Sequence, residues 1–111
     1  MKLKKRERGS VLIFDLEGNL TMGVGETVLK YQVSEAVNGG KKNILLNMAG
    51  VGRTDSSGIG ALVAIRNTVD RSQGKLVLLN PQKALIDLLT MTRLKQYFSI
   101  YVDEASALAA F

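Results

Sequence analysis

Asn43-Ile-Leu-Leu-Asn-Met-Ala-Gly-Val-Gly-Arg-Thr-Asp-Ser-Ser-Gly-Ile-Gly60 joins an apolar run to a polar turn and the start of a helix-periodic segment. Residues 43–48 are almost continuously apolar, which is the pattern of a strand covered on both faces in a parallel sheet. Apolar residues recur at helical spacing from 59 to 69, so we predict a helix there. This order favours an α/β domain, in which sites collect outside the carboxyl ends of the strands. We call residues 53–60 the serine turn.

The rest of the chain alternates between strand-like and helix-like segments. We predict strands at 2–8, 10–16, 75–80 and 97–102, and a helix at 26–37. A further helix is predicted to begin at Pro81 with Asn80 as its cap, and a short terminal helix to be capped by Asp103. Residues 17–25 and 90–96 are predicted to be loops. The order β-β-α-β-α-β-α-β-α predicts a mixed, mostly parallel sheet with helices packed against it, in a single domain over residues 1–111.

Cysteine and histidine are both absent from the chain. Their absence excludes disulfides, thiolate catalysis, the usual Ser-His-Asp triad and most zinc sites. We therefore expect no metal site and no catalysis that depends on histidine or cysteine. No apolar run approaches the roughly 18 residues of a membrane span, and the basic start of the chain lacks the apolar core of a signal peptide. We therefore expect no membrane span and a cytoplasmic protein.

Basic residues are concentrated at the start of the chain. Residues 2–8 carry five Lys or Arg and one Glu, so they hold a net four of the five excess positive charges. A nucleic-acid arm would need interleaved aromatic residues or a binding motif, and neither is present. We interpret the segment as an edge strand that its charges protect from pairing with other chains, and we expect no direct binding of nucleic acid.

Several kinds of chemistry could use the serine turn. Asp55, Ser56 and Ser57 are all good helix N-caps, but capping explains one such residue and not three. A nucleophile elbow needs a histidine, a P-loop needs a Gly-Lys-Ser/Thr ending, and a phospho-aspartate site needs an acidic pair near the chain start. Asp15 and Glu17 are the candidates for that pair, and both are better placed as strand residues. A serine that accepts phosphate from a partner kinase is favoured, because amide dipoles at a helix N-terminus attract phosphate.

Two glycines in the first turn of the predicted helix need compensation. Gly58 and Gly60 each cost helix stability by roughly 1 kcal/mol relative to Ala. Close approach of another backbone, or of a partner, is the usual reason for such a cost. Right-handed crossover connections place residues 18–25 and 53–58 at the same end of the sheet. We therefore expect these two segments to lie together.

The serine turn and three other segments carry a family resemblance. Asp-Ser-Ser-Gly-Ile-Gly-Ala-Leu at 55–62, directly after a buried strand, closely resembles the signature of STAS domains, specifically of bacterial anti-sigma factor antagonists. Gly18-x-Leu20, the segment 76–81 and Leu94-Lys-Gln-Tyr-Phe98 resemble further family segments. Thr21 stands where the family commonly has an acid, residues 52–54 are more polar than usual, and Arg93 replaces a frequent glycine.

The resemblance implies a partner switch. In such proteins the unphosphorylated form binds an anti-sigma factor that is also a serine kinase, and so frees the sigma factor. The kinase phosphorylates the first serine after the motif aspartate, here Ser56, and a metal-dependent serine phosphatase reverses this. ATP and the metal belong to these partners, so the resemblance implies that the chain needs no cofactor and is not an enzyme. The competing acceptor is Ser57, which would otherwise cap the second helix. The alternative is a scaffold or transporter-associated subunit without a phosphoswitch. We predict a monomer or weak dimer, with these partner-binding residues: Gly18, Leu20, Thr21, Arg53, Thr54, Asp55, Ser57, Gly58 and Ile59.

Overall fold

Five strands form one mixed sheet in the computed structural model, which describes residues 1–111. The sheet order is β1-β2-β3-β4-β5, with β1 antiparallel to β2 and the other pairs parallel. The predicted α/β element order and the mostly parallel sheet are confirmed. In chain order the elements are β1 Lys2–Arg8, β2 Val11–Leu20, α1 Val24–Asn38, β3 Asn43–Thr54, α2 Ser56–Arg71, β4 Lys75–Leu79, α3 Lys83–Met91, a 3₁₀ turn Lys95–Tyr97, β5 Ser99–Tyr101 and α4 Glu104–Ala109.

The two faces of the sheet are covered unequally. Helices α1, α2 and α3 pack on one face, where Ile44, Leu46 and Met48 of β3 join the larger core. The short helix α4 packs on the other face, where Leu45 of β3 joins a smaller cluster with Ala107. Successive side chains of a strand point to opposite faces, so burial of consecutive residues requires a cover on both sides. The prediction of a doubly covered strand at 43–48 is therefore confirmed.

Strands β2 and β3 extend further than predicted. The loop predicted at 17–25 is wrong, because β2 continues to Leu20 and α1 already begins at Val24. Strand β3 likewise continues past Met48 to Thr54. The register between the two strands shifts twice near Gly18, which has a φ of 122°. Such bulges let glycine and polar residues stay in a ladder that a regular strand would end.

The predicted start of the third helix is also wrong. Helix α3 begins at Lys83 after Gln82, and Pro81 does not occupy its first turn. Asn80 does not cap it, because Gln82 holds the N-cap position and no side-chain hydrogen bond caps the helix. The Asn80 N–H instead donates to the Tyr101 carbonyl at 2.6 Å, and its φ is 53°. This tertiary bond holds Asn80 in the turn after β4. The predicted cap of the terminal helix is confirmed, because the Asp103 carboxylate accepts the Ser106 N–H at 2.8 Å.

Strand β1 forms the edge of the sheet, as the charge pattern predicted. Arg6 holds this strand to two other elements. Its guanidinium lies 2.6 Å from the Asp15 carboxylate of β2 and 2.7 Å from the Glu104 carboxylate of α4. The Asn47 side-chain amide donates to the same Asp15 carboxylate at 2.8 Å. Arg6 thus joins the first strand to the last helix across the lightly covered face.

We expect Arg6→Ala to lower the free energy of unfolding by about 1–2 kcal/mol, because it removes a partly buried forked ion pair. Hydrogen bonds from Arg6 hold the pKa values of Asp15 and Glu104 below their ordinary 3.8 and 4.5. Because folding lowers the pKa of both carboxyls, their ion pairs stabilise the fold fully at a pH above 3.8 and 4.5. This stabilisation is lost as the pH falls through the lowered pKa values. Urea unfolding of both proteins at pH 7 and in acid should therefore show the difference shrinking in acid. If wild type and Arg6→Ala differ in free energy of unfolding by the same amount at both pH values, the stabilising role assigned to these ion pairs is wrong.

Candidate functional site

The carboxyl ends of β2 and β3 bring two connections together. The Met22 N–H, between β2 and α1, donates to an Asp55 carboxylate oxygen at 3.1 Å. The Arg53 N–H, at the end of β3, donates to the Asn19 side-chain oxygen at 3.2 Å. The expectation that residues 18–25 lie beside 53–58 is therefore confirmed. We call the surface formed by residues 19–24 and 53–57 the switch end of the sheet.

Asp55 is the residue that organises the serine turn. It precedes α2 with an extended backbone, and its carboxylate accepts the Gly58 N–H at 2.9 Å, which is N-cap geometry. Backbone N–H donation, first from Met22 and then from Gly58, lowers the pKa of this carboxyl. The predicted capping role of Ser57 is wrong, because Ser57 lies inside the first turn of α2. The Asp55 carboxylate caps α2 with one oxygen and accepts the Met22 N–H with the other, so it also fixes the neighbouring connection.

We expect Asp55→Ala to release both N–H donors and to lower the melting temperature by a few degrees (about 5 °C) at neutral pH. Asp55→Asn should lower the melting temperature much less, because Asn is also a good N-cap. The lowered pKa means that the wild-type advantage is present above the ordinary value of 3.8 and is lost as the pH falls below it. Thermal unfolding by circular dichroism from pH 7 to acid measures this. If Asp55→Ala melts as wild type at pH 7, the assigned role is wrong.

The two serines differ in access to solvent. Ser56 is the first residue of α2 and is exposed, whereas Ser57 is half-buried. A partner enzyme can reach an exposed hydroxyl without unfolding the helix. Amide groups at the start of α2 also favour a negative group at this point.

The two glycines of the first helical turn have different surroundings. Gly58 is buried, and a Cβ built on it would lie 2.1 Å from the Leu20 carbonyl oxygen and 2.7 Å from Thr54 Cγ2. Gly60 is exposed, and a Cβ there would meet nothing within 4 Å. Close approach of another backbone therefore explains Gly58 alone. The fold itself gives no packing reason for Gly60.

A shallow polar cavity of about 280 Å³ opens at the switch end. It is lined by polar side chains only: Asn19, Thr21, Arg53, Thr54 and Asp55. Two apolar side chains at this end face solvent, Met22 with 76% and Val24 with 73% of its surface exposed. Asn19, Met22 and Val24 were not predicted as site residues, because Asn19 is the variable residue of Gly18-x-Leu20 and the other two lie outside the segments that resemble the family. The available signal was Met22 itself. A large apolar residue in a predicted surface loop has no core to pack against, which is a reason to expect a contact with another molecule.

The predicted partner-binding residues divide by burial. Three of them, Leu20, Gly58 and Ile59, are buried and support the surface from below. The others reach the surface to differing degrees, with Arg53 exposed and the rest half-buried: Gly18, Thr21, Thr54, Asp55 and Ser57. Gly18 lies slightly apart, next to Met1 Cα, which a Cβ on Gly18 would approach to 3.2 Å. The switch end thus contains five of the nine residues as possible contacts.

No cluster of three or more carboxylate residues is arranged to hold a metal ion. None of the helices combines the length and apolar character needed to cross a membrane.

Comparison with known proteins identifies related chains. The family model for the STAS domain matches residues 2–107. The structure superposes on a Thermotoga maritima protein assigned as an anti-sigma factor antagonist with a TM-score of 0.90, at 23% identity, covering 97% of this chain and 92% of that one. It also resembles the Bacillus cell-fate determinant SpoIIAA in its phosphorylated form, with a TM-score of 0.76 at 19% identity, covering 98% of each chain. At these identities the likeness establishes the fold.

Sulfate transporter 3.1 of Arabidopsis thaliana is also related, being 37% identical over 68 residues. The match covers 56% of this chain and 10% of the transporter, so the chain corresponds to about a tenth of that protein.

Proposed function

The chain belongs to the STAS domain family, and from this we propose that it is an anti-sigma factor antagonist switched by phosphorylation of Ser56. In its unphosphorylated form it binds an anti-sigma factor serine kinase and so frees the sigma factor. Phosphorylation ends that binding, and a metal-dependent serine phosphatase restores it. The observation that carries the proposal is the exposed Ser56 at the first position of α2, directly after the Asp55 cap.

The chain acts in this proposal as the substrate and ligand of enzymes, and not as an enzyme. ATP and the phosphatase metal belong to the partners, so the chain needs no cofactor of its own. It works in the cytoplasm as a single domain over residues 1–111, as a monomer or weak dimer, and without direct contact to nucleic acid.

The chemistry of the switch follows from the surroundings of Ser56. A phosphate adds a charge of about −1.5 to −2 at neutral pH. It would stand next to the Asp55 carboxylate, whose lowered pKa keeps it ionised. Added bulk, added hydration and repulsion from an acidic partner group would all oppose docking. The helix can keep its conformation, because the start of α2 tolerates negative charge.

The partner contacts in this proposal come from the switch end. Arg53, Thr21, Thr54, Asp55 and Ser57 supply polar contacts, and the exposed side chains of Met22 and Val24 supply apolar area. Interfaces combine a few apolar anchors with a polar rim in this way. Leu20, Gly58 and Ile59 act by holding these residues in place, and Gly60 leaves room for a partner close to the helix backbone.

Phosphorylation in vitro tests the proposal. We expect the cognate kinase and ATP to add one phosphate to the wild-type protein, as measured by intact-mass spectrometry and located by peptide mapping. Ser56→Ala should abolish the modification, and Ser57→Ala should leave it at Ser56. Phosphate found on Ser57, or retained in Ser56→Ala, would refute the assignment of the acceptor.

The match to a sulfate transporter favours a second function, in which the chain is a scaffold or a transporter-associated subunit without a phosphoswitch. A stable complex recovered by pull-down from cells, with equal yield for wild type and Ser56→Asp, would support this function. A complex that dissociates in the Ser56→Asp variant supports the antagonist instead.

A further inference from the structure

The outer side of β1 is an unpaired strand edge. Strand β1 pairs with β2 over seven residues, from Lys2 opposite Glu17 to Arg8 opposite Val11, and no strand lies on its other side. In an antiparallel pair, alternate residues direct their N–H and C=O groups away from the partner strand. The edge therefore offers a row of donors and acceptors to a further strand. The opposite edge of the sheet, β5, has only three residues.

Basic side chains surround this edge. Lys2, Lys4, Lys5 and Arg8 are all exposed, and none of them forms an ion pair within the chain. We call these four residues the basic edge. Glu7 is the one acid in β1, and its carboxylate lies 2.7 Å from Lys41 Nζ. Basic charge thus dominates the edge, since its own acid is already paired.

The strand behind the basic edge is firmly held. Arg6 is joined to Asp15 and Glu104 as described above, and Leu3 packs against the larger core. An incoming segment would therefore meet an ordered strand and need not order it.

From this combination we propose that β1 docks an acidic, extended segment of a partner protein as a sixth strand. Peptides that add a strand to an exposed edge gain affinity from the main chain and selectivity from side chains. The positive row attracts carboxylates, and it repels the β1 of a second copy. Unlike a peptide, nucleic acid or lipid could use the charges but could not pair with the main-chain ladder. β1 also has no aromatic residue for base stacking and no exposed apolar residue for membrane insertion.

Binding of a designed peptide tests this inference. The probe is a capped, fluorescently labelled Glu-Val-Glu-Thr-Glu-Val-Glu, and its matched control carries N-methyl groups at alternate residues, which keeps the charge and removes main-chain donors. We expect saturable binding of the first peptide by anisotropy and at least tenfold weaker binding of the second, on the order of one or two lost hydrogen bonds. Alternate amides of β1 should become protected from hydrogen exchange by NMR.

Charge reversal tests where the peptide binds. We expect Lys5→Glu to weaken binding by about fivefold, whereas Lys95→Glu, an exposed lysine in the 3₁₀ turn, changes it less than twofold. Circular dichroism confirms that both variants fold. Ser56→Asp should bind the peptide as wild type does, so this inference and the phosphoswitch can fail separately.

Several results would overturn the proposal. These are absence of binding, equal binding of the N-methylated peptide, equal losses for Lys5→Glu and Lys95→Glu, or protection outside β1. Tighter binding of an oligouridylate or of phosphatidylglycerol vesicles than of the acidic peptide would also overturn it. Charge alone would then explain binding to β1, without main-chain pairing.

Discussion

Gly58→Ala is expected to lower the free energy of unfolding by about 1–2 kcal/mol, although alanine is the better helix former. The new methyl group would lie 2.1 Å from the Leu20 carbonyl oxygen, so β2 and α2 must move apart. Overpacking of this kind costs typically 1–3 kcal/mol and sometimes more, and a gain in helix propensity of roughly 1 kcal/mol offsets part of it. Because Leu20 is buried in the larger core, the displacement cannot be confined to the surface.

Gly60→Ala is the matched control, two residues further along the same helix. Nothing lies within 4 Å of its built Cβ, so we expect it to raise the free energy of unfolding by about 0.5–1 kcal/mol. Urea unfolding followed by circular dichroism measures both variants. Equal stabilisation by the two substitutions would show that β2 and α2 do not approach as closely as described. If the open side of Gly60 serves a partner, Gly60→Ala should weaken partner binding while stabilising the free protein.

Ser56→Asp is expected to weaken binding of the cognate kinase by roughly 10- to 100-fold. The substitution adds a carboxylate to the face proposed to dock, where it must lose hydration and where a like charge on the partner can cost several kcal/mol. A phosphate carries more charge and more bulk than a carboxylate, so phosphorylated wild type should bind more weakly still. Isothermal titration calorimetry with the purified kinase, in the absence of ATP, gives the dissociation constants.

Two further variants separate charge from size in this experiment. Ser56→Asn has the shape of the aspartate without its charge, and we expect it to weaken binding of the kinase by less than fivefold. Ser10→Asp adds the same charge in the exposed turn between β1 and β2 and should bind as wild type does. Ser56→Asp binding as tightly as wild type would contradict the phosphoswitch. Equal losses for Ser56→Asn and Ser56→Asp would assign the effect to size alone.

Much of the fold could be predicted from apolar periodicity. Residues 43–48 indicated a strand covered on both faces, and the charges of β1 indicated an edge; both features are present. The ends of the elements were less predictable, because contacts distant in the sequence determine them. Register shifts keep Gly18 inside β2, and Asn80 bonds to Tyr101 of β5 while α3 begins only at Lys83. Glycine favours a break locally, and pairing with β3 overrode that preference at Gly18.

It was predictable that the two connections lie together at one end of the sheet, but not which side chains make the contacts there. The crossover rule placed the two connections at one end of the sheet, and the hydrogen bond from Met22 to Asp55 agrees with it. Three adjacent cap-forming residues gave no basis for choosing the one that caps α2, since the choice depends on the residue at which the backbone becomes helical. Met22 and Val24 were missed because exposure of single apolar residues depends on how the chain turns.

We expect the hydrogen bonds from Met22 to Asp55 and from Arg53 to Asn19 to affect how quickly the proposed partner binds. They tie the two connections of the switch end together before any partner arrives. A surface that is already ordered loses little conformational entropy on association, so less of the contact energy is consumed in fixing loops. Association should then follow a single kinetic phase whose rate rises linearly with partner concentration, without the plateau of a slow rearrangement. Releasing the first of these bonds with Asp55→Ala should slow association as well as loosen α2.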